Sequence, residues 1–306
     1  MRKVIGIGET ILDIIFEDGV PRRAVPGGST FNSIISLGRS GIPTAFVSDL
    51  GDDRVGAVIQ SFMRENHADT SYLALYSGAQ SPVSLAFLGE QTAYEFFRET
   101  FPEKYEYAYP EVTSDDLMLF GSYFAVSDKS RSRVATLLEA AREAGAIVYY
   151  DVNFRPNHKG DVLRVTGNLL ENFEYADIVR GSDEDFRVLY GESDAVRVYR
   201  NHIRFYTPTF IYTRGGGCVT LFTDRFTKDY TPELVTPVST IGAGDSLNAG
   251  LLVGLIRNHV CRDDLATLPE TVWDDIMATA LAYGSNACLQ PDNYISPSFG
   301  EQHKPF

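Results

Sequence analysis

From about residue 110 onward, short apolar runs alternate with helix-like stretches. Residues 116–122 (D-L-M-L-F-G-S) read as a strand closed by Gly-Ser. Residues 131–144 read as an amphipathic helix, and A-I-V-Y-Y-D-V-N-F-R-P (146–156) as a strand opening into a polar loop. Strands separated by helical crossovers pair in parallel and need helices on both faces. The expected fold class is therefore α/β, a doubly wound and mostly parallel sheet sandwiched by helices. K-V-I-G-I-G, residues 3–8, supplies a first buried strand. In sheets of this kind, ligands collect beyond the carboxyl ends of the strands. Asp151, Asn153 and Arg155 fall at such an end and are site candidates; the arginine alone could be a salt bridge only, but three polar groups at a strand end favour a site.

The chemistry concentrates in S-T-I-G-A-G-D-S-L-N-A-G-L-L-V-G, residues 239–254. Gly242, Ala243 and Gly244 let backbone approach a ligand closely. After Asp245, leucines 247, 251 and 255 recur at helical spacing, while Gly250 and Gly254 permit tight packing. This reads as a loop delivering free amides at a helix N-terminus, where orphan donors and the macrodipole both attract phosphate. A carboxylate in such a place competes with an anion unless its task is to take a proton from an attacking hydroxyl, which makes Asp245 a candidate general base. An ordinary helix cap is the competing role.

The net charge of −14 argues against nucleic acid or an anionic membrane as partner. Cys218, Cys261 and Cys288 are scattered without metal-ligand spacing, as in reduced thiols. No apolar run approaches membrane-spanning length, and Glu9 and Asp13 come too early for a signal-peptide core. A cytoplasmic protein is expected. G-I-G at residues 6–8 lacks the third glycine of a dinucleotide fingerprint, and no G-x-x-x-x-G-K-[ST] occurs.

G-A-G-D leading into S-x-N-A-G-L-L resembles the second signature of the ribokinase-type (PfkB) carbohydrate kinases, with fructokinases nearest in pattern. The resemblance implies a ribokinase-like fold, ATP and Mg²⁺ as cofactors, and a small sugar as the other substrate. It makes Asp245 the base and Gly242, Ala243 and Gly244 the anion hole. The family's usual Asp is Ser239 here; that Asp often helps hold a monovalent cation, so potassium activation is in doubt. G-G-S-T-F-N resembles the first signature, which implies that Gly27, Gly28 and Asn32 contact sugar. E-T-I-L-D likewise implies Asp13 as a sugar-gripping residue, although an Asp after a strand is by itself more often a turn former. D-x-N-x-R-P implies substrate roles for Asp151, Asn153 and Arg155. Ser29 follows the glycine pair where kinases of phosphosugars tend to carry Lys, which implies an unphosphorylated acceptor.

Residues 14–25 and 81–104 are expected to form a β-sheet lid, turning near Gly89–Thr92 and closing in E-F-F-R. Residues 1–13, 26–80 and 105–306 would form the catalytic core. In the family the lid covers the sugar and clasps a partner's lid, which implies a homodimer, with Phe97 and Arg98 reaching substrate. A-D-I-V-R-G-S-D-E-D-F resembles the strand leading to N-x-x-E; it implies Asp185 as a magnesium residue acting through water, with Ser182 at the aligned Asn. I-Y-T-R-G-G-G-C implies a nucleotide phosphate loop at Thr213, Gly215 and Gly217. S-N-A-C-L implies Asn286 beside the adenine.

Together these features predict ATP-dependent phosphorylation of a primary hydroxyl of a free sugar. Fructose is the first choice, with ribose and 2-keto-3-deoxygluconate behind it. The alternative from another class is a silent sugar- or nucleotide-sensing protein, to which Ser239, Ser182 and Asp185 would be suited.

Overall fold

A computed structural model describes residues 2–88, 93–98, 101–102 and 107–305. Its nine-stranded sheet is built on β1 (Val4–Ile7), a fully buried run that pairs on both sides. Two hairpin strands follow at once, β2 (Ile11–Glu17) and β3 (Val20–Gly27), then helix α1 (Ser29–Arg39) and strand β4 (Thr44–Gly51). After α2 (Arg54–Glu65) come β5 (Leu73–Tyr76), β6 (Val83–Leu88) and β7 (Ala93–Phe97). The alternating half then runs β8 (Leu117–Gly121), α3 (Ser122–Val126), α4 (Arg131–Ala144), β9 (Ile147–Asp151), α5 (Val162–Tyr175), β10 (Ile178–Ser182), α6 (Asp183–Tyr190) and α7 (Ala195–Val198). It closes with β11 (Thr209–Thr213), β12 (Val219–Phe222), β13 (Thr227–Tyr230), α8 (Ala243–Arg257), α9 (Glu270–Cys288) and α10 (Pro297–Gln302).

The large sheet has the order β13-β12-β11-β10-β9-β8-β1-β4-β5, parallel from β11 to β5, with β12 and β13 antiparallel at one edge. The chain leaves β1 first toward β4 and later returns on the other side at β8. Strand order thus reverses at β1, and the crevice expected of a doubly wound sheet opens above that point. Apolar residues cover both faces in two separate cores. One centres on α1, α8 and α9, the other on α4, α5 and α6.

Helices α8 and α9 pack at close range because of two glycines. A Cβ on Gly250 would fall 2.8 Å from the Cα of Ala280, and one on Gly254 2.9 Å from the Cα of Ile276. This contact fixes the direction in which the start of α8 points.

A second sheet, β3-β2-β6-β7, rises from the end of β1. The boundaries expected at residues 13/14 and 25/26 fall inside β2 and β3, so Asp13 is itself a residue of this small sheet. The expected turn near Gly89–Thr92 lies outside the described residues.

Candidate active site

Gly242 is the N-cap of α8 at φ +79°, and a Cβ there would fall 2.1 Å from the carbonyl oxygen of Asn293. Only glycine fits. No side chain caps this helix. Ala243 donates its amide to Thr240 O at 3.4 Å and Ser246 donates to Gly242 O at 2.8 Å. Among the described residues, the amides of Gly242, Gly244 and Asp245 find no acceptor. Of the expected Gly242–Ala243–Gly244 donor set, Gly242 and Gly244 keep free amides. Ala243 is committed to the turn, and the amide of Asp245 is free in its place.

The Asp245 side chain is buried in the first turn of α8. Ser29 Oγ donates to its Oδ1 at 2.8 Å, and Asn32 Nδ2 donates to its Oδ2 at 2.8 Å. Ser33 Oγ donates to its carbonyl at 2.8 Å. One polar stripe of α1 thus grips the start of α8. Burial pushes the Asp245 carboxyl above the usual aspartate value; Asn32 opposes this, the charge of Asp151 adds to it, and Ser29 and Arg155 oppose it. A raised but hydrogen-bonded carboxylate is what a base working near neutral pH requires.

The sugar-side candidates converge from β2, β3 and α1. A Cβ on Gly27 would meet Asp13 Oδ2 at 2.7 Å, and one on Gly28, at φ +129°, would meet Glu9 O at 2.2 Å. Asp13 accepts at Oδ1 from Ser84 Oγ on the neighbouring strand β6. Desolvation raises the Asp13 carboxyl, with Ser84 and Arg98 pulling it back. Asn32 Oδ1 is buried and has no hydrogen-bond partner among the described residues.

Strand register places the two lid aromatics on opposite faces. Asp13 lies opposite Ser84, and Ser84 lies opposite Phe96, so these three side chains share a face. Phe97 pairs with Val83 and turns to the other side. Arg98 returns to the first face; it lies over the Phe96 ring at 4.4 Å and 2.8 Å from Glu9 Oε1. Glu9, Ser84 and Phe96 had not been singled out in the sequence.

At the ends of β9, β10 and β11, a buried network joins several candidates. Asp151 accepts from Arg180 Nη1 at 3.0 Å and from Asn248 Nδ2 at 2.7 Å, and Arg180 Nη2 donates to Thr213 Oγ1 at 2.9 Å. Each oxygen of Asp151 thus accepts one protein donor, which turns this expected sugar contact inward toward Arg180 and α8. It is the counter-ion of Arg180. Asn153 is buried at φ +35°, and Arg155 is exposed, 3.9 Å from Glu184.

Asp185 forms a capping box with Ser182 and also accepts from the Phe154 amide at 2.7 Å. Its oxygens are engaged by protein donors, so a metal would reach it only through water, as expected for magnesium. Gly215, at φ +48°, and Gly216 face open space, leaving the loop after Thr213 accessible, with Gly217 donating back to Arg214 O at 2.7 Å. Asn286 differs from expectation in that its Oδ1 accepts from the Ser296 amide at 2.8 Å, tying α9 to the following segment. The Ser239 hydroxyl accepts from the Ile241 amide at 3.2 Å. A cavity of about 440 Å³ opens at the opposite edge of the sheet, between Lys3, Thr44, Arg64, His67 and Tyr72, away from all these groups.

An uncapped helix start beside a buried carboxylate, with a polar floor under it, suits transfer of an anionic group to a hydroxyl. Residues 1–289 match the family described as pfkB family carbohydrate kinase. The chain belongs to that family. As a pfkB carbohydrate kinase it is a sugar kinase, an activity for which the family uses ATP and a divalent metal. Among curated relatives, it is 28% identical to a fructokinase of Rhizobium leguminosarum bv. trifolii, over 87% of this chain and 84% of that one. It is 24% identical to probable fructokinase-4 of Arabidopsis thaliana, over 88% and 87%.

Solved structures of the same fold include the Salmonella enterica aminoimidazole riboside kinase complexed with aminoimidazole riboside and an ATP analogue. It matches at a TM-score of 0.85 and 23% identity, covering 99% of this chain and 98% of that one. The Vibrio cholerae O395 fructokinase with fructose, ADP and calcium matches at 0.84 and 21%, covering 96% and 94%. The sensing alternative gives way to the enzyme. Among the described residues, no helix is long and apolar enough to cross a membrane.

Proposed function

We propose that this pfkB kinase phosphorylates a primary hydroxyl of a free, uncharged sugar, with fructose the first candidate. The observation that carries the reading is Asp245, held by Ser29 and Asn32 at the uncapped start of α8. A sugar hydroxyl between Asp13 and Asp245 gives its proton to the Asp245 carboxylate as its oxygen bonds to the γ-phosphorus of ATP. The bond from that phosphorus to the bridging oxygen breaks, and ADP leaves. The unpaired amides of Gly244 and Asp245 face the charge that builds on the transferring group. Mg²⁺ held through water near Asp185 would neutralise phosphate charge. Gly215 and Gly217 line the accessible loop suited to the nucleotide phosphates.

An uncharged acceptor is favoured over 2-keto-3-deoxygluconate because Glu9 and Asp13 flank Arg98. The guanidinium nearest the sugar side is already countered. The donor that Asn32 Oδ1 lacks is supplied, in this reading, by a sugar hydroxyl. Ser239 offers a hydroxyl already used by Ile241, so turnover should not need potassium. The small sheet, which carries Asp13, acts as a lid over the sugar and, by analogy with the family, as a dimer contact.

An ADP-release assay with fructose, ribose, glucose, 2-keto-3-deoxygluconate and fructose 6-phosphate tests the proposal, run with and without potassium. Turnover greatest with an acidic or phosphorylated acceptor would overturn it.

A further inference from the structure

Strand β10 reads I-V-R-G-S, an apolar strand broken by an arginine. Arg180 is buried. Burial lowers its affinity for a proton, but the nearby charges of Asp151 and Asp185 outweigh that and hold it above the ordinary arginine value. Asp151 and Thr213 take one donor nitrogen each, and Nε is buried with no partner among the described residues. Even a compensated buried ion pair is often no more stabilising than well-packed apolar residues in its place, and here one donor is left unused. An apolar side chain would suit the strand better if packing were the only requirement.

What the guanidinium lies against explains its presence. A Cβ on Gly244 would fall 2.8 Å from Nη2 and 3.2 Å from Nη1 of Arg180. The charge therefore lies against the residue whose amide, together with that of Asp245, is left without an acceptor. The same guanidinium joins Thr213, at the mouth of the open loop, to Asp151, which Asn248 ties to α8 one turn beyond Asp245.

We propose that Arg180 is a positioning residue for phosphoryl transfer, a fixed cation beside the Gly244–Asp245 amides that strengthens their hold on the transferring group and keeps the two phosphate-side loops in register. This rests on the kinase reading above and adds a residue to it. A buried charge acts through little screening, and it needs no reorganisation as negative charge develops near it. Asp151 holds the guanidinium in this orientation.

The test compares wild type with Arg180→Met and Arg180→Lys, each checked for folding by circular dichroism and thermal melting. Binding of ADP alone is measured against ADP with aluminium fluoride, a mimic of the transferring phosphoryl group, alongside steady-state turnover. Because the charge lies against Gly244 and acts through the amide donors, Arg180→Met should lower kcat by about 10–100-fold. It should weaken the ADP–fluoride complex by a similar factor, while affinity for ADP alone and KM for the sugar stay within about threefold. Arg180→Lys, which keeps the charge, should recover part of both losses.

A folded Arg180→Met protein with wild-type kcat would overturn the inference, as would equal weakening of ADP and of ADP–fluoride, which marks a brace alone. Should the Met variant fail to fold, the Lys variant decides by the same comparison. Wild type that turns over no free sugar would count against the acceptor assignment instead. The ADP–fluoride comparison, which needs no turnover, still judges Arg180.

Discussion

Asn32 donates its side-chain amide to Asp245 across 2.8 Å, although 213 positions separate the two in the chain. The bond joins the helix that follows the glycine pair to the uncapped start of α8. One side-chain amide therefore holds Asp245 while its own Oδ1 is left buried without a partner among the described residues.

Asn32→Ala should lower kcat by about 10²-fold, the scale of a misplaced catalytic group. It should also raise KM for the sugar. Asn32 stabilises the ionised form of Asp245, so its removal pushes that carboxyl further up. The acid limb of the kcat–pH profile should move to higher pH than in wild type. An unmoved limb would mean that the bond does not tune the base.

Asp245→Asn should reduce kcat by about 10²–10⁴-fold, the usual contribution of a positioned base. Calorimetric affinity for ADP should barely change. Stability should move the other way. The Asp245 carboxyl is raised in the folded protein, chiefly by burial, so the folded state holds its proton more tightly than the unfolded chain does. That stabilising contribution is complete below the unfolded value, near about pH 4, and is lost as pH rises through the folded value. Above it the wild type carries a buried charge that the variant lacks. The Asn variant should melt at a higher temperature than wild type at neutral pH, and the gap should close on acidification. Equal melting temperatures at all pH values would contradict the shift.

Phe96→Ala should raise KM for the sugar several-fold, as expected for a lost ring contact of about 1 kcal/mol. Phe97→Ala should leave it nearly unchanged. The β6–β7 register places Phe96 with Ser84 and Asp13, and Phe97 on the far face. Steady-state kinetics of the two variants on fructose separates them. The reverse order would mean that the small sheet presents its other face to substrate.

These assignments show what the sequence reveals and what it hides. G-A-G-D at a helix start was legible, because glycine, a free helix end and a lone carboxylate each have a local physical meaning. So was the doubly wound sheet, from the alternation after residue 110. The E-F-F-R run does not say which of its two rings shares a face with Asp13, since only the pairing partner tells which face a strand residue takes. The ion pair of Asp151 is hidden because its partner Arg180 comes 29 positions later in another strand. An arginine inside I-V-R-G-S was itself a signal, as a lone charge in a buried strand implies a partner. Ser29, Asn32, Ser33 and Ser36 recur at helical spacing and mark the polar stripe that meets α8. The apolar residues between them drew attention to the opposite face instead.

The glycines of α8 allow catalytic and packing roles to be separated. Gly242→Ala adds a Cβ 2.1 Å from Asn293 O at a backbone angle of +79°, so the loop must shift. The left-handed conformation alone costs a residue with a Cβ about 1–2 kcal/mol, and relief of the contact moves the very turn that leaves the Gly244 and Asp245 amides open. Gly254→Ala places its Cβ 2.9 Å from the Cα of Ile276, three turns along the same helix and inside the α8–α9 contact. That overpacking costs about 1–3 kcal/mol without touching the helix start. Both variants should melt early, but kcat measured well below the melting temperature should collapse only in Gly242→Ala. If the two lose activity in proportion to stability alone, the amide geometry at the start of α8 is not what limits phosphoryl transfer.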